Sequence, residues 1–324
     1  MLRVSHLLVR ISFALPLLSA SWLHASTAAQ VEQNWPQWRG PHATGVSKTA
    51  NPPIEWSETK NVRWKVEIPG RGTASPIVWG NRIFLLTAVP VGVTGADEHS
   101  PRGGTAAAPH RFLVLALDRE TGKVVWQKQV REETPHEAFS QPNSSYASSS
   151  AITDGELVIA SFESRGIYAF DLAGNELWKE DLGNKGMRSQ FGEGSTPALY
   201  GDTIVHVWDQ IAPGSSFIVA LHKRTGKEIW RKPRDQIDTW ATPLVVEANG
   251  RPQAIVVGRD KIYSYDLATG DVVWQTTGLT MNPIPSGVTD GEIAYLMSGF
   301  QGNMLKAIRF GDAKGDITGT GSVV

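Results

Sequence analysis

The chain has 324 residues, with 31 basic and 32 acidic side chains and a net charge of −1, so it carries no long-range field to draw nucleic acid or anionic lipid. Cysteine is absent, which excludes a disulfide scaffold, a thiolate metal site and a lipidated cysteine. Apolar residues make up 41%, with 12 Trp, enough for a packed β core.

Residues 1–29 have the order of a secretory signal: Arg3 and Arg10, an apolar stretch over 11–23 broken by Pro16, then the small residues Ser26, Thr27, Ala28 and Ala29. The stretch falls short of the ~20 residues that span a bilayer. The expectation is cleavage between about Ala25 and Ala29, a periplasmic or secreted protein, and no membrane span afterwards. Residues 30–60 follow as an N-terminal extended segment.

From there the chain repeats itself. ALDRETGKVVW at 116–126 returns as FDLAGNELW at 170–178, ALHKRTGKEIW at 220–230 and YDLATGDVVW at 265–274. Each copy is an alternating strand, a tight Gly turn and a second strand ending in Trp, a β-hairpin. A second hairpin precedes each copy, turning at Gly80-Asn81, Asp154-Gly155, Gly201-Asp202, Asn249-Gly250 and Asp290-Gly291. Trp64, Trp126, Trp178, Trp230 and Trp274 recur about every 50 residues, the length of four short strands with turns. A hairpin of this kind cannot bury its apolar face alone, so the copies must stack. The fold class expected is therefore all-β, a β-propeller of four-stranded blades over residues 61–324, with the five Trp as structural docking residues.

The A-x-D-x-x-T-G-K-x-x-W pattern resembles the tryptophan-docking motif of the pyrroloquinoline-quinone (PQQ)-like β-propellers. WPQWRGP at 35–41, NSSYASSS at 143–150 and FGEGSTPAL at 191–199 most resemble exported bacterial members of that family with no assigned activity. The resemblance implies a ring of seven or eight blades. Counting from Thr73 gives four full blades and a fifth that stops inside a strand at Val324, so the expectation is about five blades in a C-terminally truncated ring, roughly 100 residues short. Residues 61–68, around Trp64, are expected to be a lone outer strand whose inner partners are absent.

In such a blade the loops between strands two and three share a face with those between blades, and here that face has the long loops: 89–111, 131–147, 183–194, 209–216 and 276–283. Long loops on one rim of a rigid scaffold are where binding concentrates. Arg71, Tyr146, Arg188, Glu193, Asp209, Trp240 and Asn282 are the binding candidates there, whereas the opposite turns are expected to be too short to build a pocket. Residues 89–111, rich in Gly, Pro and Ala, form an insertion without periodicity.

No HExxH, GxSxG or EF-hand pattern is present, so neither a catalytic residue nor a metal site is assigned. The resembling quinoprotein dehydrogenases would need a base Asp, a Ca²⁺ site and a cation on PQQ. Asp209, Glu193, Asn143 and Arg188 are of the right types, but their order and surroundings do not match, and the adjacent Cys pair of that branch is missing. The expected function is an exported non-catalytic module that binds a periplasmic or cell-surface protein or glycan through its long-loop rim, without a cofactor. The alternative is an oxidoreductase holding PQQ with calcium.

Overall fold

The computed structural model describes residues 28–92, 108–139, 144–259, 261–281 and 283–324. The signal-like region up to residue 27, most of the 89–111 insertion, Asn143 and Asn282 lie outside these. The described chain is nearly all-β. A short helix, α1 (Ala28–Glu32), precedes five sheets, and among the described residues no helix is long and apolar enough to cross a membrane.

The first sheet is an antiparallel meander of β1 (Ile77–Trp79), β2 (Arg82–Pro90), β3 (His110–Asp118) and β4 (Val124–Glu133). The second repeats it with β5 (Ile152–Thr153), β6 (Leu157–Ser161), β7 (Ile167–Asp171) and β8 (Glu176–Glu180). The third follows with β9 (Ala198–Tyr200), β10 (Thr203–Trp208), β11 (Phe217–His222) and β12 (Glu228–Pro233). The fourth has β13 (Leu244–Ala248), β14 (Arg251–Val257), β15 (Lys261–Asp266) and β16 (Val272–Thr277). The fifth has three strands, β17 (Val288–Thr289), β18 (Ile293–Ser298) and β19 (Met304–Arg309). At its outer-strand position stands a single bridge, Ile308 to Val323. Between these, β20 (Gly315–Asp316) leaves its own blade and joins β16 in parallel.

What stacks the sheets is the Trp near the start of each outer strand, which runs on past the Trp instead of ending there as the sequence suggests. The indole N–H of Trp64 donates to Arg119 O, Trp126 to Leu172 O, Trp178 to Lys223 O and Trp230 to Leu267 O, in each case a turn of the following sheet. Each ring lies flat on a glycine of that turn: Gly122, Gly174, Gly226 and Gly270 have φ of +70°, +87°, +68° and +73°, and a Cβ there would come within 2.5–2.8 Å of the ring. Glycine is required twice over, for the left-handed backbone and for the close approach. The motif Asp shapes the same turn. Asp118 Oδ1 accepts from the Glu120 and Thr121 amides and the Thr121 hydroxyl, and Asp266 Oδ1 accepts from the Ala268 and Thr269 amides. Trp274 departs from the pattern. It is fully buried with Phe310, Ala313 and Ile317, and its indole nitrogen has no hydrogen-bond partner among the described residues.

A second tie runs along the inner strands. The residue pairs Ser75-Pro76, Ser150-Ala151, Thr196-Pro197, Thr242-Pro243 and Ser286-Gly287 occupy equivalent places. The hydroxyl of one sheet accepts the amide of the sheet before it: Ser75 N–H to Ser150 Oγ at 3.0 Å, Ser150 N–H to Thr196 Oγ1 at 3.0 Å, and Thr242 N–H to Ser286 Oγ at 2.8 Å.

The N-terminal segment is a strap across the short-turn face. Trp35 pairs both backbone groups with Val78 of β1, Pro36 O accepts from Thr153 N–H of β5, and Arg39 reaches the carbonyls of Ser286 and Gly287 in the fifth blade. Ala43 packs against the core of the fourth and fifth sheets. The turns on that face are as short as expected, yet the strap gives it a groove, between His42 and Val46 on one side and Tyr200, Val245, Glu247 and Asp290 on the other. The expectation that this face cannot build a pocket is thereby corrected.

Trp178→Ala, which empties a seat between two blades, is expected to lower stability by about 3–5 kcal/mol. Gly226→Ala should cost about 1–3 kcal/mol through left-handed strain. Urea unfolding of each variant measures both.

Candidate functional site

The long-loop rim of the second and third blades converges on buried charge. Between β6 and β7 the chain makes a tight helical turn, Glu163–Arg165, with Glu163 at φ +55°. A non-glycine residue holds that conformation only when its surroundings fix it. Here they do: the Glu163 carboxylate accepts from Lys185 Nζ at 2.7 Å, His206 Nε2 at 3.1 Å and Ser149 Oγ at 3.2 Å. The side chains of Lys185 and His206 are completely buried. Burial by itself would raise the Glu163 pKa, but Lys185 and His206 outweigh it and hold the group well below the ordinary carboxylate range. Lys185 also lies 5.0 Å from the Trp208 ring centre.

Beside this triad, Glu193 accepts from the Ser164 amide and hydroxyl and from Arg165 Nη1 at 3.1 Å. Arg165 Nη2 faces His136 Nδ1 at 3.3 Å, and His136 Nε2 lies 3.1 Å from Lys185 O. Glu137 takes the Met187 amide on Oε2, while its buried Oε1 has no partner among the described residues. Burial pushes the Glu137 pKa up to about 7, and burial together with Arg165 pushes that of His136 down.

His136, Glu137 and Glu193 offer ligand-type atoms within 4.8 Å of one another. The hydrogen bonds oppose a metal there. Because Arg165 can only donate, His136 Nδ1 must accept, so the imidazole proton sits on Nε2 and is given to Lys185 O. Neither ring nitrogen keeps a lone pair for an ion.

The sequence-derived candidates divide. Tyr146 and Glu193 line the same small cavity as Glu137, Phe139 and Arg165. The Tyr146 ring packs edge-on to Phe139 at 4.7 Å and lies 5.5 Å from the Arg165 guanidinium. Burial raises its pKa to about 12. The Arg71 guanidinium lies 5.7 Å from the Phe139 ring centre, and Trp240 donates to Gly192 O at 2.8 Å. These four therefore share one neighbourhood. Arg188 stands beside it, paired with Asp238 at 2.7 Å. Asp209 faces the interior instead. Its carboxylate is fully buried, held by Arg234 at 2.7 and 2.9 Å and by Thr239 at 2.6 Å, so it is a strut rather than a surface for ligand. Asn282 lies outside the described residues. Arg165, Glu163, Lys185 and His206 were not singled out from sequence. Only the pairing of a charged ESR turn with a lysine-bearing loop could have pointed to them, and no local rule joins the two.

The family model described as outer membrane protein assembly factor BamB matches residues 46–205 and 214–287. The chain belongs to that family. BamB of Moraxella catarrhalis is 16% identical to this family member, with a TM-score of 0.43, covering 76% of this chain and 73% of that one. Quinohemoprotein alcohol dehydrogenase from Comamonas testosteroni is 12% identical with a TM-score of 0.47, covering 87% and 48%. A europium-containing methanol dehydrogenase is 13% identical with a TM-score of 0.43, covering 72% and 46%. The chain thus spans about half the length of the two dehydrogenases. No curated protein matches it significantly.

Two variants probe the site. Glu163→Gln leaves the Lys185 ammonium buried without its counter-charge and is expected to destabilise by about 3–5 kcal/mol. Glu137 has a folded pKa above its unfolded one, so its effect on stability runs the other way from that of Glu163: stability present below about pH 4.5 is lost as pH rises towards about 7. In Glu137→Gln that loss should vanish, as read from urea midpoints between pH 4.5 and 7.5.

Proposed function

We propose that the chain is an exported, non-catalytic binding or scaffold module that presents its long-loop rim to a protein or glycan partner outside the cytoplasm. The observation that carries this reading is the self-neutralisation of the rim's charges. Glu163, Lys185, His206, Glu193 and Arg165 are spent on one another, so the centre of the rim is a rigid base and not a set of poised reactive groups. Loops built on such a base form a fixed surface, which lowers the ordering cost of binding. Export rests on the signal-like order of residues 1–29, and the family's description as an outer membrane protein assembly factor is in keeping with it.

Quinone with calcium fits this neighbourhood poorly. Calcium needs six to eight oxygen ligands, whereas Glu163 and Glu193 are already committed and the space between Glu137, Tyr146 and Arg165 is of single-water size. The expected result of titrating the purified protein with PQQ and Ca²⁺ is no saturable change in quinone absorbance. Micromolar saturable binding would overturn the reading. For the rim itself, the combined change Tyr146→Ala, Arg188→Ala and Trp240→Ala should weaken partner binding at least tenfold, with Asn249→Ala in the opposite turns leaving it unchanged.

A further inference from the structure

Two rim loops meet at Glu137, and one of them is held in a conformation its residues do not favour. In the loop between β8 and β9 the turn Arg188–Gln190 puts Ser189 and Gln190 at φ of +50° and +52°. Two successive non-glycine residues keep a left-handed backbone only where their neighbours fix it. The far end of this loop is anchored by Glu193 to Ser164 and Arg165, and Arg188 N–H donates to Asp238 at 3.1 Å. Its middle is tied to the loop between β4 and β5. Glu137 Oε2 accepts the Met187 amide at 3.1 Å, and His136 Nε2 gives its proton to Lys185 O at 3.1 Å. Gly192 approaches Phe139 so closely that a Cβ on it would come within 2.8 Å of the Phe139 Cβ.

The tie at Glu137 depends on a proton. Glu137 is 8% exposed, and its Oε1 borders the same small cavity as the Tyr146 hydroxyl. Neither oxygen has a partner among the described residues. A neutral carboxyl keeps the Met187 amide on Oε2 and carries its proton on Oε1, whereas an ionised one leaves a charge facing that cavity. Glu193 and His136 stand within 4.8 Å, and Glu163 and Arg165 line the same space. The cations there are already bonded elsewhere, Arg165 to Glu193 and Lys185 to Glu163. Burial, and after it Glu193, favours the neutral acid over the opposing pull of the Met187 amide, Arg165 and Lys185, and Glu137 ends at about 7. His136 works in the opposite sense. Burial and Arg165 keep it neutral, so a proton gained at low pH loosens the same two loops. Tyr146, raised to about 12, stays neutral throughout.

We propose that Glu137 is a proton-operated catch: its neutral form holds residues 183–194 against residues 134–139, and its ionisation releases residues 183–194 while the blades stay folded. In a released loop water restores Glu137 to the ordinary carboxylate range, so closure is fully supported below about pH 4.5 and loses that support as pH rises to about 7. Arg188 and Glu193 ride on the released segment, and the surface of the rim changes with it. This regulation rests on the binding role proposed for the rim. The test reads the loop without a partner, so its failure leaves that role standing.

The purified chain is followed by amide hydrogen exchange between pH 5 and 8, expressed as protection factors so that the pH dependence of exchange itself is removed. Amides of 185–192 should lose at least tenfold in protection between pH 5 and 7 and level off above that. Their exchange should not respond to low urea, because a local opening exposes little surface, whereas amides of β6 and β10 should respond. In Glu137→Gln, which keeps an acceptor for the Met187 amide, loop protection should be flat over the same range. A urea response of the loop equal to that of β6 and β10 would overturn the proposal, since Glu137 would then act only on global stability. So would a pH-independent loop, or a pH dependence that survives Glu137→Gln. The unaltered chain gives a second check through the carboxyl carbon shift of Glu137: a midpoint near 7 supports the catch, and one near 4.5 refutes it.

Discussion

Everything in this molecule hangs on a flat contact between an indole and a glycine. A four-stranded sheet has two apolar faces and cannot cover either by itself, so each blade is stable only against its neighbours. The Trp near the start of an outer strand reaches across to the next blade, and the receiving turn must be glycine because a Cβ would strike the ring. The contact fixes spacing and rotation between blades together, since the indole N–H also finds a carbonyl of the same turn. The small residue opposite each Trp and the bulge after it belong to the same device.

The inner strands carry a second kind of tie. Hydroxyls take the amides of the preceding blade, and on the short-turn face the strap from Trp35 to Arg39 spans the inner ends from the first blade to the fifth. On the opposite rim, carboxylates and cations fill the space. The burial of Glu163 and Glu193 is tolerated because Lys185, His206 and Arg165 supply counter-charge and hydrogen bonds. Glu163 shows how tightly this is enforced: a left-handed backbone is held in place by three bonds to its side chain. The rim is therefore stiff at its base and open only in its loops.

The sequence by itself determined the repeat, the four-strand unit, the five hairpin turns and the docking role of Trp64, Trp126, Trp178 and Trp230, because strand alternation, turn glycines and Trp spacing are properties of neighbours along the chain. It also put Tyr146, Glu193, Arg71 and Trp240 on one rim, since the residue before each inner strand is carried by the repeat to the same end of the blade. Only the tertiary structure decided the rest. Asp209 and Glu193 look alike in sequence, as acidic residues on rim loops. One is an internal strut because Arg234, itself within a strand-end loop, folds over it, and the other joins the central network because Arg165 and Ser164 come from a different blade. Lys185, Glu163 and His206 lie in three separate segments, and charge pairing between them depends on distances that no local pattern encodes. The strap, too, reads as an unpatterned run of Pro and Gly until the inner strand ends supply its hydrogen-bond partners.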